Sequence, residues 1–329
     1  MASLPIVLTA DFRVDYANSS NSPILRIPIQ GLSLRVNLKG IIPAMITPFT
    51  NDEELDEEAL RGHVRFLIKT GISGIMCNGS TGESSSLSHD ERRKVIETVV
   101  DEVGGVMPVI AGTGASSTRE TVELTRDATE AGANAVMIVA PYYLIPDVEG
   151  VYVHYKKVTE SVDIPVVVYN IPQHTRVNID AKLLKRLAVL KNIVAIKDSS
   201  GNLSQFSEMI KLVGSEVLVL TGADDLIFPS FVLGSPGAIL AVANIAPRMA
   251  VEILDLVQRG EVEKAREVNS RLLPIARAIS VDRKFPAQVK EAVAMLGRPA
   301  GPTRKPILSL TSEEKEEVRQ ALLMSGLAS

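Results

Sequence analysis

Val194-Ala195-Ile196-Lys197 is an apolar run that ends in a cation, and Asp198-Ser199-Ser200-Gly201 follows it. The run has the pattern of a strand buried on both faces of a parallel sheet, and from Asn202 to Val213 the apolar residues return at helical spacing. Strand, turn and helix in that order form the repeating unit of an α/β protein, whose chemistry gathers at the carboxyl ends of the strands. A lysine held out of water at such a position is kept as the neutral amine, the form that attacks a carbonyl carbon and condenses to a Schiff base. Taken alone, a strand-end lysine is more often a solvated partner of a neighbouring acid. Its companions decide.

Ile164-Pro165-Val166-Val167-Val168-Tyr169 is a second such run, and the loop Asn170-Ile171-Pro172-Gln173-His174-Thr175 follows. Neighbouring parallel strands would bring Tyr169 and Lys197 to one rim of the sheet, where a phenol can carry protons to and from a carbinolamine. Upstream, Ile72-Ser73-Gly74-Ile75-Met76-Cys77-Asn78 opens into Gly79-Ser80-Thr81-Gly82-Glu83. Two glycines around two hydroxyl residues can turn successive backbone N–H groups toward one point, an anion nest suited to a carboxylate. Each feature also has a plainer reading: an amphipathic tyrosine at a strand end, and an ordinary glycine-rich turn.

The alternation runs the length of the chain. Strands are predicted to end near Met45, Cys77, Ala111, Val139, Tyr169, Lys197, Thr221 and Ala241, with helical stretches between them. Thr70-Gly71-Ile72, Ala131-Gly132-Ala133 and Leu233-Gly234-Ser235 each place a glycine just past a helix, where a left-handed cap is easiest, before a strand begins. Eight units fit a closed (β/α)8 TIM barrel better than an open sheet. Glu261 to Ile279, Phe285 to Leu296 and Ser312 to Leu323 read as a C-terminal three-helix extension, expected to hold no catalytic residue. The predicted organisation is therefore an irregular N-terminal extension over 1–38, a barrel over 39–258 and a helical region over 259–329. Residues 1–38 lack a cationic start and carry Asp11 and Asp15, a poor signal or transit peptide.

Gly79-Ser80-Thr81-Gly82-Glu83, Pro141-Tyr142-Tyr143, Tyr169-Asn170-Ile171-Pro172 and Ile196-Lys197-Asp198 occur in the order and approximate spacing of the dihydrodipicolinate synthase/N-acetylneuraminate lyase family, which the chain resembles from about Leu38 to its C-terminus. The resemblance implies a (β/α)8 barrel whose lysine forms a Schiff base with pyruvate, a class I lyase needing no cofactor. It makes Lys197 the imine former and Tyr169 the proton donor and acceptor, with Thr81 and Tyr143 completing a hydroxyl relay and Tyr143 reaching in from a neighbouring subunit. Ser80 and Thr81 would hold the pyruvate carboxylate. It also implies a homo-oligomer, a dimer or tetramer.

The chain departs from the family's pattern at the loop after Tyr169. His174 stands where dihydrodipicolinate synthases place an arginine that binds the carboxylate of aspartate semialdehyde, and Arg176 lies two positions on. A histidine gives a weaker, pH-dependent charge without the bidentate fork of a guanidinium. The second substrate is accordingly expected to be either aspartate semialdehyde, with a shifted carboxylate contact, or the aldehyde half of a 2-oxo-3-deoxy sugar acid or 4-hydroxy-2-oxoglutarate. A barrel that binds without catalysing is the third reading, opposed by the presence of Lys197, Tyr169, Thr81 and Tyr143 together. In the family's lysine-feedback pocket His89, Glu120 and Tyr142 match, while Arg92 and Ser116 replace a histidine and an asparagine, so lysine inhibition is not expected.

Composition agrees with a cytoplasmic enzyme. The 329 residues are 46% hydrophobic and 22% charged, enough for a substantial core, and a net charge of −4 gives no reason to expect nucleic acid or an acidic membrane. A single cysteine, Cys77, excludes an intrachain disulfide and reads as a small buried hydrophobe. No apolar stretch approaches the ~20 residues that cross a bilayer. His63, His89, His154 and His174 lack metal-ligand spacing, so no metal is expected, and Gly112-Thr113-Gly114 misses the third glycine of a dinucleotide fingerprint. Asp52, Glu53, Glu54, Asp56, Glu57 and Glu58 suit the positive end of the first helix dipole. Asp224 and Asp225 could cap a helix or meet the distal polar end of a substrate.

Overall fold

A computed structural model describes residues 36–280 and 284–328. The irregular extension expected at the N-terminus falls, up to residue 35, outside the described residues. The alternation predicted from sequence is observed: β1 (Gly40–Pro43), α1 (Glu57–Leu67), β2 (Ile75–Cys77), α2 (His89–Val103), β3 (Val109–Gly112), α3 (Thr118–Glu130), β4 (Ala135–Val139) and α4 (Val148–Ser161) come first. They are followed by β5 (Val166–Asn170), a single turn α5 (Pro172–Thr175), α6 (Ala181–Leu187), β6 (Ile193–Asp198), α7 (Leu203–Val213), β7 (Leu218–Thr221), α8 (Ile227–Val232), β8 (Gly237–Leu240) and α9 (Pro247–Gln258). The C-terminal helices are α10 (Val262–Ala278), α11 (Ala287–Met295) and α12 (Ser312–Met324).

Each neighbouring pair from β2 to β8 is parallel, and β8 pairs with β1. A parallel bridge between Ala44 and Met76 closes the ring, supported by Met45 N–H donating to the Met76 carbonyl at 2.8 Å and Ser73 N–H to that of Ile41 at 2.9 Å. The fold is a (β/α)8 barrel.

Side-chain alternation along the strands divides the apolar residues into two cores. Ile42, Met76, Ile110, Met137, Val167, Ala195, Leu220 and Ile239 fill the interior of the ring, and Leu38 is buried with them. Val166, Val168 and Ile196 point the other way into the layer beneath the helices. The same alternation puts Tyr169 on the inner face. Sequence and geometry agree at the helix-to-strand joints too, since Gly71, Gly132 and Gly234 have φ of +84°, +92° and +103°.

Helix starts follow their caps. Asp56 accepts from Ala59 N–H at 2.9 Å to open α1, with Glu57 and Glu58 in the first turn, as the acidic run predicts. Upstream of that helix Glu53 instead pairs with Lys305 at 2.8 Å, tying the loop to the C-terminal segment. Asn202 caps α7 by accepting from Gln205 N–H at 3.1 Å, which fixes the turn leaving Lys197. Of the C-terminal helices, α10 packs along α9 and α12 and also touches the turn at Asp224–Leu226.

Candidate active site

A cavity of about 360 Å³ opens at the carboxyl ends of the strands. Its wall takes Ser80 and Thr81 from the turn after β2, Tyr169 from β5, Lys197 from β6, Gly222 to Asp225 after β7, and Ala241 after β8. Parallel register sets Tyr169 directly beside Lys197. Both are buried, and the Lys197 Nζ lies over the phenol ring, 4.2 Å from its centroid. The amine and the phenol thus share the dry floor of one concave site.

The residue following each reactive side chain holds that geometry. Asn170 Nδ2 donates to Asp198 Oδ1 at 2.7 Å, and Asn170 Oδ1 accepts from Ile179 N–H at 2.9 Å. Ser200 Oγ donates to the other Asp198 oxygen at 2.7 Å. Burial raises the Asp198 carboxyl above its ordinary range, partly offset by these hydrogen bonds. Because β-strand neighbours point to opposite faces, this buried pair braces the two strand ends from outside the cavity. Its signal in the sequence is simple: each partner follows one of the two reactive residues.

The turn after β2 has the form expected of an anion nest. Gly82 N–H donates to Gly79 O, Glu83 N–H to Ser80 O and Ser84 N–H to Gly79 O, whereas the amides of Ser80 and Thr81 meet no acceptor among the described residues. Two successive N–H groups are left for a ligand oxygen. Thr81 is buried, Ser80 exposed.

Asp224 resolves the choice posed by the sequence toward the cavity. It makes no cap to its own turn, and its Oδ1 instead accepts from Val242 N–H at 2.9 Å. Burial lifts its carboxyl to about 6, opposed by that hydrogen bond and by the nearby charge of Lys197. Asp225 is exposed at the rim. Ser199 Oγ, buried and without a partner, completes this side of the wall.

Three predicted site residues lie elsewhere. Tyr143 is 89% exposed, with a left-handed φ of +73°. His174, in α5, and Arg176, its left-handed C-cap, are exposed and contribute nothing to the cavity wall. From the same turn Gln173 does reach the wall, donating to the Ser199 carbonyl at 2.8 Å. The C-terminal region, assigned no role from sequence, supplies Ala276, Arg277 and Ser280 from the end of α10, and Phe285 beyond it. Only the tertiary fold brings α10 over the mouth; no pattern within it marks Arg277.

Cys77 donates to the Ile110 carbonyl, and burial pushes its thiol up to about 12, so it is an inert core residue. Among the described residues no cluster of three or more His, Cys, Asp or Glu converges as a metal site. No described helix is long and apolar enough to cross a membrane.

The model of the dihydrodipicolinate synthetase family matches residues 37–324. The chain belongs to that family. It is 45% identical over 285 residues to the 4-hydroxy-tetrahydrodipicolinate synthase of Methanothrix thermoacetophila, a match covering 86% of this chain and 96% of the relative. To the synthase of the same name from Methanocaldococcus jannaschii it is 44% identical, over 88% of this chain and 99% of the relative. Among solved structures, the dihydrodipicolinate synthase from Aquifex aeolicus superposes with a TM-score of 0.84 at 37% identity, covering 88% of this chain and 99% of that one. At the positions compared with the family's lysine pocket, His89 and Glu120 lie 3.6 Å apart, and Arg92 is buried with Nε and Nη1 unbonded.

Proposed function

We propose that the chain is a 4-hydroxy-tetrahydrodipicolinate synthase, a class I lyase that condenses pyruvate with aspartate semialdehyde through a Schiff base on Lys197. The carrying observation is the buried Lys197 amine set over the Tyr169 ring at the floor of the barrel mouth. The names of the relatives at 44–45% identity support this reaction.

The steps follow from the residues. The Lys197 nitrogen attacks C2 of pyruvate, whose carboxylate oxygens accept from the Ser80 and Thr81 amides. Tyr169 passes a proton to the carbinolamine oxygen, which leaves as water, and the resulting iminium draws electrons as a C3 proton departs. The enamine carbon then bonds to the aldehyde carbon, and the aldehyde oxygen takes up a proton. Attack by the amine of aspartate semialdehyde on C2 closes the ring and returns Lys197 to the free amine. Thr81 beside the nest serves the proton relay.

Tyr143 takes part from a second copy in this reading. It is followed by Leu144 and Ile145, exposed by 80% and 51%, and Val148 nearby is exposed by 57%. An apolar patch on the loop after β4 suits a self-association surface, and a homodimer or tetramer is the proposed assembly. A cytoplasmic location goes with the reading, the single cysteine being a buried thiol with no disulfide partner in the chain.

The absence of His174 and Arg176 from the wall, with Asp224 and Asp225 upon it, favours a second reading: cleavage of a polyhydroxylated 2-oxo acid such as a 2-oxo-3-deoxy sugar acid. Borohydride reduction in the presence of pyruvate tests the shared chemistry. A stable mass increase on Lys197, absent from Lys197→Ala, is expected; an unmodified Lys197 removes the mechanism. Rates with aspartate semialdehyde against a 2-oxo-3-deoxy sugar acid then separate the two reactions.

A further inference from the structure

The cavity has a carboxylate site at one edge and needs a cation at the other. Pyruvate's carboxylate is accounted for by the turn after β2, but an aldehyde that itself carries a carboxylate presents a second negative charge away from the forming bond. His174 and Arg176, in the loop after Tyr169, do not reach the wall, and the acids that do, Asp224 and Asp225, would repel such a charge. Besides Lys197, one cation lines the cavity among the described residues: Arg277, near the end of α10.

We propose that Arg277 binds the anionic group of the second substrate and so selects aldehydes that carry a carboxylate. This inference rests on the Schiff-base reading above and deepens it. Three observations support the assignment. Arg277 is exposed, and its guanidinium meets no hydrogen-bond or ion-pair partner among the described residues. The body of its helix is fixed, because Ala276 before it and Ile279 after it are buried, and Ile275 N–H donates to Ser325 Oγ at 3.3 Å. The contact of α10 with the turn at Asp224–Leu226 places it over β7, whereas the nest follows β2; in the ring order the two are separated by four strands in one direction and two in the other. A guanidinium there meets a substrate whose charges lie at its two ends, with the planar fork that matches a carboxylate. Ser280, one turn further on, adds a hydroxyl to the same edge.

Specificity built this way predicts a split between the substrates. Arg277→Gln and Arg277→Lys are compared with the native chain, measuring KM and kcat for aspartate semialdehyde and for uncharged glyceraldehyde, together with KM for pyruvate and the yield of borohydride-trapped imine. Arg277→Gln is expected to raise KM for aspartate semialdehyde by about tenfold or more, the worth of a charge-assisted hydrogen bond. Arg277→Lys should recover part of that loss. KM for pyruvate, the imine yield and KM for glyceraldehyde should stay within about twofold of native. A KM for aspartate semialdehyde within twofold of native in Arg277→Gln overturns the assignment, as does an equal loss with both aldehydes. Failure of the reaction reading is distinguishable, because then the native chain itself forms no imine or fails to consume aspartate semialdehyde.

Discussion

Lys290, in α11, lies 2.6 Å from Glu83, the last residue of the nest turn, with 3% and 1% of their side chains exposed. The pair locks the C-terminal helices to the turn that carries Ser80 and Thr81. Lys290 also donates to the Pro302 carbonyl at 2.6 Å, and Arg304 N–H donates to the second Glu83 oxygen at 2.8 Å. Phe49 joins the same cluster: the Lys290 amine and the Arg304 guanidinium stand 4.2 and 4.3 Å from its ring centroid. Burial pulls the Lys290 ammonium down to about 8 against the attraction of Glu83.

Removing one member of a buried pair strands the other charge, so Lys290→Met should cost about 3–5 kcal/mol of stability. Glu83→Gln added to it abolishes the stranded charge while keeping an acceptor for Arg304 N–H. The double variant is therefore expected to be the more stable of the two in urea titrations. A double variant that is no more stable than Lys290→Met would show that the pair is not acting as a buried ion pair.

Gly222 is a wall residue packed beside the reactive amine's stem. A methyl group there would stand 2.4 Å from Lys197 Cε and 2.2 Å from Ser199 Oγ. Gly222→Ala forces the lysine off its position. Overpacking of this kind costs about 1–3 kcal/mol, while a displacement of ~1 Å at a reacting group can cost ~100-fold in rate. Imine formation should slow by about that factor, with only a modest fall in melting temperature. Native rates of pyruvate trapping in this variant would mean that Lys197 has room the structure does not show.

The barrel was readable because its signals are local and repeated. Apolar runs and polar turns recur in each unit, left-handed glycines follow several of the helices, and the strand ends predicted from them agree with the observed ones to within two residues at Met45 against Pro43 and to within one at Lys197 against Asp198. Lys197 and Tyr169 were legible for the same reason: a reactive residue closing an apolar run lies at the rim, and adjacency in the ring did the rest. What sequence could not supply was the part of the site formed by distant segments. Arg277 sits in an ordinary amphipathic helix, and nothing local ties α10 to the mouth. His174 and Arg176 show the converse limit, since they occupy a loop of the right kind but are turned outward by the single helical turn of α5.

Asp224 gives the site a pH response whose sign can be worked out. Burial raises its carboxyl from 3.8 to about 6, so the charge is present at neutral pH and is lost as pH falls through 6. A positive imine on Lys197 is stabilised by that charge and loses the help in acid. Asp224→Asn removes the charge at every pH while retaining an oxygen for Val242 N–H. The ratio of trapped pyruvate imine, native over variant, should exceed one at pH 8 and approach one below pH 6. A ratio that is constant across this range would show that Asp224 does not sense the imine.

Two histidines outside the site couple stability to acid. His63 and His154 are buried, and burial is the main force that depresses both from 6.5 to about 4. The unfolded chain binds these protons as pH falls through 6.5, whereas the folded chain resists until about pH 4, so the stability they confer is complete above 6.5 and drains away between those limits. A depression of that size corresponds to about 3 kcal/mol for each residue. His154 has one ring nitrogen 3.0 Å from Thr118 Oγ1, the other buried without a partner, and an edge contact to Tyr155 at 5.3 Å between centroids. His154→Phe keeps an aromatic ring against Tyr155 and abolishes the titration. Its unfolding free energy, measured in urea from pH 7 to 4.5, should fall less steeply than that of the native chain, whatever its stability at pH 7. A native slope in the variant would assign the acid sensitivity to other groups.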